Sequence, residues 1–238
     1  SRPNQLDFGG VVRNVTVNIP ATLQTGDRTP HYPRLYHDHQ NTMLNAGAIK
    51  KGKGLWAFGY YPRFDYGLQI EDGAFYCQWS YGPVTIRNNA ELRFTTDNYA
   101  PAQCASITIE ATGGILSPMT GPRAMSTPLT INGPLTVRLD DIETPGTDRI
   151  LNLSSPTTGS GAIIVRGNPA NYVSSAAYVG LANIVYAHTG GWTIESGGQV
   201  RLGGADYCLA DPAAPMTINT GGVLHLNNGG GPGATPDG

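Results

Sequence analysis

The sequence is short of charge. Only 13% of its 238 residues are Asp, Glu, Lys or Arg, about half the share usual in soluble domains. Lysine is scarcest: Lys50, Lys51 and Lys53 are the only three, and the 12 arginines are scattered. With a net charge of −2 there is no basic field to attract nucleic acid or an anionic membrane surface. The one basic cluster, Lys-Lys-Gly-Lys-Gly, reads as a solvated loop. Cysteine is rare too. Cys77, Cys104 and Cys208 include no C-x-x-C pair, which excludes a zinc ribbon and a thioredoxin-type motif. The longest apolar run, residues 176–187, is interrupted by Gly180 and Asn183 and is too short to span a bilayer. The first residues, Ser-Arg-Pro-Asn, lack an apolar signal region, so a signal was either removed before this numbering or never present. Lys-, Glu- and Ala-rich stretches that would build helices are also missing.

What fills the space is glycine and proline, 32 and 18 residues, or 50 of 238 positions, together with Thr, Ser and Asn. These residues favour strands, turns and caps over helix interiors. The composition predicts one all-β domain of ordinary size.

A repeat organises the chain. Six triplets read apolar, Thr or Gln, Ile: Leu68-Gln69-Ile70, Val84-Thr85-Ile86, Ile107-Thr108-Ile109, Leu129-Thr130-Ile131, Trp192-Thr193-Ile194 and Met216-Thr217-Ile218. On a strand the outer two residues of each triplet share one face and the middle one takes the other. A Gly- or Asn-containing corner follows, supplying positive φ angles. A second apolar-polar-apolar strand comes next, such as Leu92-Arg93-Phe94, Val200-Arg201-Leu202 or Leu224-His225-Leu226. The central isoleucines are separated by 16, 23, 22, 63 and 24 residues. Residues 150–153 and 162–165 are the intermediate strands expected inside the long gap. A strand-corner-strand phrase recurring every 16 to 24 residues predicts a parallel β-solenoid, a right-handed β-helix whose rungs bury their apolar side chains on one another. A sandwich would place strands every ~8 to 12 residues without repeating the phrase.

Three regions follow. Residues 1–66 are irregular, with strands at residues 11–17 and 55–58 and a long polar loop over about residues 25–45, and they cap or decorate the solenoid. Residues 67–228 carry the rungs. Residues 229–238 read as a Gly/Pro-rich flexible tail. The last rung, residues 216–226, is as regular as any other and carries no polar cap against edge pairing. Cys77 and Cys104 are 27 positions apart, near one rung, so stacking could bring them together.

The phrases Trp-Thr-Ile-Glu-Ser-Gly-Gly-Gln-Val-Arg-Leu and Met-Thr-Ile-Asn-Thr-Gly-Gly-Val-Leu-His-Leu, within residues 192–226, resemble the autotransporter-associated β-strand repeat. Lys51-Gly52-Lys53-Gly54 followed by Leu55-Trp56-Ala57-Phe58 is similar to that repeat's opening. The resemblance covers about half of the chain. It implies a right-handed parallel β-helix of the passenger type, displayed outside the cell and working in adhesion or scaffolding. The irregular spacing, the three cysteines and the absence of a membrane-barrel segment depart from that family.

Candidate chemistry is sparse. His31, His37 and His39 crowd into nine residues with Asp38, and on a strand His37 and His39 would share a face, a possible set of divalent-metal ligands. An exposed polar excursion explains them as well, and no cofactor is expected. Asp140, Asp141 and Glu143 form the one tight acidic cluster, with Arg138 and Arg149 nearby. A polysaccharide-cleaving β-helix would need such carboxylates in one groove, but consecutive strand residues point oppositely, and a solvated turn accounts for them. There is no nucleophile elbow and no phosphate loop. His188 and His225 read as outward positions on rungs. Tyr60, Tyr61, Phe64, Tyr66, Tyr76, Trp79 and Tyr81 fall within 22 residues, a patch suited to sugar stacking or protein contact. The sequence therefore predicts a secreted or cell-surface structural or adhesive protein. Its partners would be copies of itself, assembling into fibres, or a surface polysaccharide or cell-surface molecule. The alternatives are a carbohydrate-binding or polysaccharide-cleaving β-helix and a phage-type fibre or spike.

Overall fold

The computed structural model describes residues 11–18, 34–37, 47–58, 64–77, 82–94, 104–118, 121–139, 149–168, 177–181, 186–203 and 214–227. They are all-β, with no helix among them. The strands in chain order begin with β1 (Val12–Thr16), β2 (Arg34–His37), β3 (Gly47–Lys51), β4 (Leu55–Phe58), β5 (Leu68–Ile70), β6 (Ala74–Cys77) and β7 (Pro83–Ile86). They continue as β8 (Ala90–Phe94), β9 (Ser106–Ile109), β10 (Gly114–Pro118), β11 (Gly121–Met125), β12 (Leu129–Ile131), β13 (Leu135–Arg138) and β14 (Arg149–Leu153). The last are β15 (Thr157–Thr158), β16 (Ile163–Arg166), β17 (Ala177–Leu181), β18 (Trp192–Ile194), β19 (Gln199–Gly203), β20 (Met216–Ile218) and β21 (Val223–Asn227).

Three parallel sheets collect them. Sheet 1 runs β1-β3-β5-β7-β9-β12-β15, sheet 2 runs β2-β4-β6-β8-β10-β13-β16-β18-β20, and sheet 3 runs β11-β14-β17-β19-β21. The described strands alternate between sheets 1 and 2 up to β8, pass through sheets 1, 2 and 3 in turn from β9 to β17, and alternate between sheets 2 and 3 from β18 to β21. Strands on both sides of residue 66 share the same ladders, since β3 pairs with β5 and β4 with β6.

The alternation expected of the triplets is present: β5, β12 and β18 each bury their outer residues and leave the middle one half-exposed. On sheet 1, Ile70, Ile86, Ile109 and Ile131 stand in register and are fully buried. On sheet 2 the inward column is Trp56, Phe75, Leu92, Leu116, Val137, Val165 and Ile194. Each aliphatic side chain so covered contributes about 1.5–3 kcal/mol of apolar burial. The outward column of sheet 1 is Gln69, Thr85, Thr108, Thr130 and Thr158, cross-strand neighbours of the kind that support a sheet.

The six triplets do not occupy one place in the fold. Those at Leu68, Val84, Ile107 and Leu129 lie in sheet 1, whereas those at Trp192 and Met216 lie in sheet 2. The same local phrase therefore turns the corner from sheet 1 to sheet 2 early in the chain and from sheet 2 to sheet 3 late. Among the described residues, sheet 1 ends at the two-residue β15, whose Thr157 makes an isolated bridge to Tyr186.

Corners hold because left-handed residues sit where levels stack. Asn88 and Asn89 take φ of 56° and 57°, a conformation Asn tolerates, and the Asn88 amide donates to Thr112 Oγ1 on the next level at 2.7 Å. Gly113 takes φ of 83°, and a Cβ there would meet Asn89 Oδ1 at 2.7 Å and the Pro134 carbonyl oxygen at 2.9 Å. Glycine is needed on both counts.

Two expectations are corrected. Lys50 is not solvated: it occupies the inward column beside Ile70 and is fully buried. Its Nζ donates to the carbonyl oxygens of Gly52 and, at 2.7 Å, Asp72. Lys51 and Lys53 do keep access to solvent. His188 does not face outward but lies wholly in the core. It shares a 2.8 Å hydrogen bond between Nδ1 and Thr157 Oγ1 and stands edge-on to Trp192 at 5.4 Å.

Candidate functional site

Most of the residues singled out from sequence lie outside the described residues: Asp140, Asp141, Glu143, Tyr60, Tyr61, Trp79, Tyr81, His31 and His39. His37 closes β2. Among the described residues no group of three or more His, Cys, Asp and Glu side chains is placed to hold a metal. The described members of the aromatic segment separate. Phe64 points inward and meets Trp56 and Phe75 edge-on at 5.9 and 5.8 Å, an arrangement that aromatic quadrupoles favour. Tyr66 is 58% exposed. Tyr76 lies on the outer face of sheet 2, packed against a small cluster of Leu55, Ala57 and Ala74.

Next to Tyr76 on that outer face is a buried polar cluster. Tyr76, Arg93 and Ser117 are in register on β6, β8 and β10, and Glu91 lies two residues before Arg93. Glu91 Oε1 accepts from Ser117 Oγ at 2.6 Å and from Arg138 at 2.8 Å, and Oε2 accepts from Arg93 at 3.0 Å. Glu91 and Arg93 side chains are 8% and 9% exposed, Arg138 27%. Charge-assisted bonds reach both carboxylate oxygens, so Glu91 ties β8, β10 and β13 together. Arg138, expected beside the acidic turn, reaches Glu91 at 2.8 Å. Arg149 is buried and donates to the Pro118 carbonyl at 3.3 Å. The sequence signal for this cluster is the Glu-Leu-Arg alternation of β8, two charges on the face opposite a core leucine. Its partners come from 26 and 47 positions further on, which only the stacking brings near.

The outer face of sheet 3 carries a second polar group. Arg201 lies 3.9 Å over the Tyr178 ring, a cation–π contact. Half-buried His225 approaches Gln199 Oε1 through Nε2 at 3.3 Å. Burial, and then the charge of Arg201, hold the His225 imidazole below its ordinary range.

The remaining unusual surface is the layer formed by β20 and β21. Met216 and Ile218 stack in register on Trp192 and Ile194, and Leu224 and Leu226 on Val200 and Leu202. Ile194 is fully buried and Leu202 8% exposed, whereas Ile218 is 49% and Leu226 75% exposed. Among the described residues no strand follows β20 in sheet 2 or β21 in sheet 3. The layer thus presents apolar side chains beside two strand edges, a template for pairing.

The chain matches no family model, no curated protein and no solved structure. Among the described residues no helix is long and apolar enough to cross a membrane.

Proposed function

We propose that this chain is a parallel β-solenoid, a right-handed β-helix, serving as a stiff secreted or cell-surface scaffold that associates through the layer of β20 and β21. The in-register columns running through consecutive levels support the solenoid reading. The resemblance of residues 192–226 to the autotransporter-associated repeat supports the extracellular one. The observation that carries association is the contrast within one column: Ile218 is half-exposed where Ile194, one level below, is wholly covered. Covering Ile218 and Leu226 removes apolar surface from water, and a partner strand satisfies the edge at the same time.

Electron microscopy and sedimentation of the purified protein across a concentration series test this. Pairs whose share grows with concentration and that join at that layer support it. Isolated rods of one mass at every concentration overturn the association and move the weight to binding along the outer faces, where a polysaccharide panel scored for bound ligand, new reducing ends and unsaturated products is the next assay.

A further inference from the structure

The corner between β12 and β13 holds Asn132-Gly133, the one Asn-Gly pair among the described residues. Asn132 extends the sheet 1 ladder by one residue, its backbone amide donating to the Ile109 carbonyl at 2.9 Å. The residue itself is exposed. Among the described residues no hydrogen bond engages either its side-chain amide or the Gly133 backbone N–H. The other corner asparagines differ. Asn88 donates through its side chain to the Glu71 carbonyl at 3.2 Å, and the backbone amide that follows it, that of Asn89, is bonded to the Gly113 carbonyl at 3.0 Å. Asn219 is followed by Thr220, whose branched side chain crowds the neighbouring amide, whereas Gly133 has no Cβ to do so.

We propose that Asn132 is a site of spontaneous modification, deamidating to aspartate and isoaspartate within the folded corner. This goes beyond the scaffold reading and does not depend on it. Asparagine is among the chemically labile side chains. The Gly133 backbone nitrogen gives up its proton to solvent and attacks Asn132 Cγ. The new C–N bond closes a five-membered imide, the bond from Cγ to Nδ2 breaks, and the amide nitrogen takes up a proton and leaves as ammonia. Water then opens the ring. Addition at Cγ yields aspartate, and addition at the main-chain carbonyl carbon of residue 132 yields isoaspartate.

Both products disturb the stacking. The residues that follow the sheet 1 triplets form a column of Glu71, Arg87, Glu110 and Asn132. Arg87 bridges Glu110 from the level on its other side, at 3.8 Å, so a carboxylate at position 132 adds like charge next to Glu110. Isoaspartate also lengthens the main chain by a methylene where levels touch. A Cβ on Gly133 would run into the Glu110 and Ala111 carbonyl oxygens, and one on Gly161 into the Gly133 carbonyl.

The test incubates the folded native chain in mildly alkaline buffer, digests it with trypsin and follows the peptide of residues 124–138 by mass spectrometry. Asn132 is the sole side-chain amide in that peptide, so an amide-to-acid mass change belongs to it. The same peptide released before incubation is the reference. Loss of the amide form in the folded chain is expected, with gain of both aspartate and isoaspartate, told apart by electron-transfer fragmentation. Asn132→Gln, which needs a larger ring, should keep its amide over the same time. A folded native chain that retains its amide after the reference peptide has converted, or that yields aspartate without isoaspartate, overturns the proposal.

Discussion

Lys50 occupies a position that four isoleucines occupy on later levels, and its burial has a pH signature. Desolvation lowers its ammonium from 10.5 to about 8, against the opposing charge of Asp72. Between those values the unfolded chain holds a proton that the folded chain has released, so stability rises with pH across that window and falls as pH drops toward 8. Urea midpoints of the native chain and of Lys50→Met should differ in slope there, by at most about 1.4 kcal/mol per pH unit; parallel curves would show that Nζ is solvated. His188 acts on the acid side. Burial holds it below its ordinary 6.5, with a backbone bond to Gly191 opposing. Protonation therefore favours the unfolded chain, and stability that is full above 6.5 is lost as pH falls below it. His188→Phe leaves the Thr157 hydroxyl without its partner and should cost about 1–3 kcal/mol at pH 7.5. The gap should narrow toward pH 5, measured by denaturant titration at both values.

Ion pairs of similar chemistry sit on different elements, and burial decides what each contributes. At the sheet 1 corners Arg87 bridges Glu71 and, at 3.8 Å, Glu110, with Lys51 3.8 Å from Glu71. The Arg87 side chain is 34% exposed, so water and salt screen the ladder. Arg87→Ala should cost under about 1 kcal/mol and less in 1 M salt. Glu91→Gln removes the charge from a carboxylate held by Arg93, Arg138 and Ser117 away from water. It should cost about 2–4 kcal/mol, nearly independent of salt. Chemical denaturation of both variants at two salt concentrations checks the ordering, and equal losses would place the two networks in the same dielectric. Neither network was read from the sequence: Glu71, Arg87 and Glu110 each directly follow a triplet, yet like the members of the Glu91 cluster they come from separate parts of the chain that only stacking brings together.

At the scale of the whole molecule the two ends differ. Among the described residues, β1 and β2 present edges of sheets 1 and 2, whereas β20 and β21 present edges of sheets 2 and 3. A head-to-tail stack of copies would continue sheet 2 alone. Contact between two β20–β21 layers covers both apolar strands on each copy, and such isologous contact closes at a pair. Sedimentation velocity should therefore show a monomer–dimer equilibrium rather than an open series. Ile218→Lys/Leu226→Lys should shift it toward monomer, with a folding cost under about 1 kcal/mol, because both side chains already face water. An unchanged equilibrium would remove this layer from the contact.

The strand-corner-strand phrase, its alternating faces and the all-β class follow from the sequence alone, because side-chain alternation and left-handed corner residues are local properties. Val84-Thr85-Ile86 and Met216-Thr217-Ile218 look alike for that reason. Which sheet each joins was decided by tertiary structure. Every triplet can pair with the strand below it, and the strand below depends on how many corners the chain has already turned. The same accumulation of levels placed Lys50 in an isoleucine column and turned His188 inward onto Thr157. Local pattern records what a strand buries, and only the stacked levels decide against which neighbour it is buried.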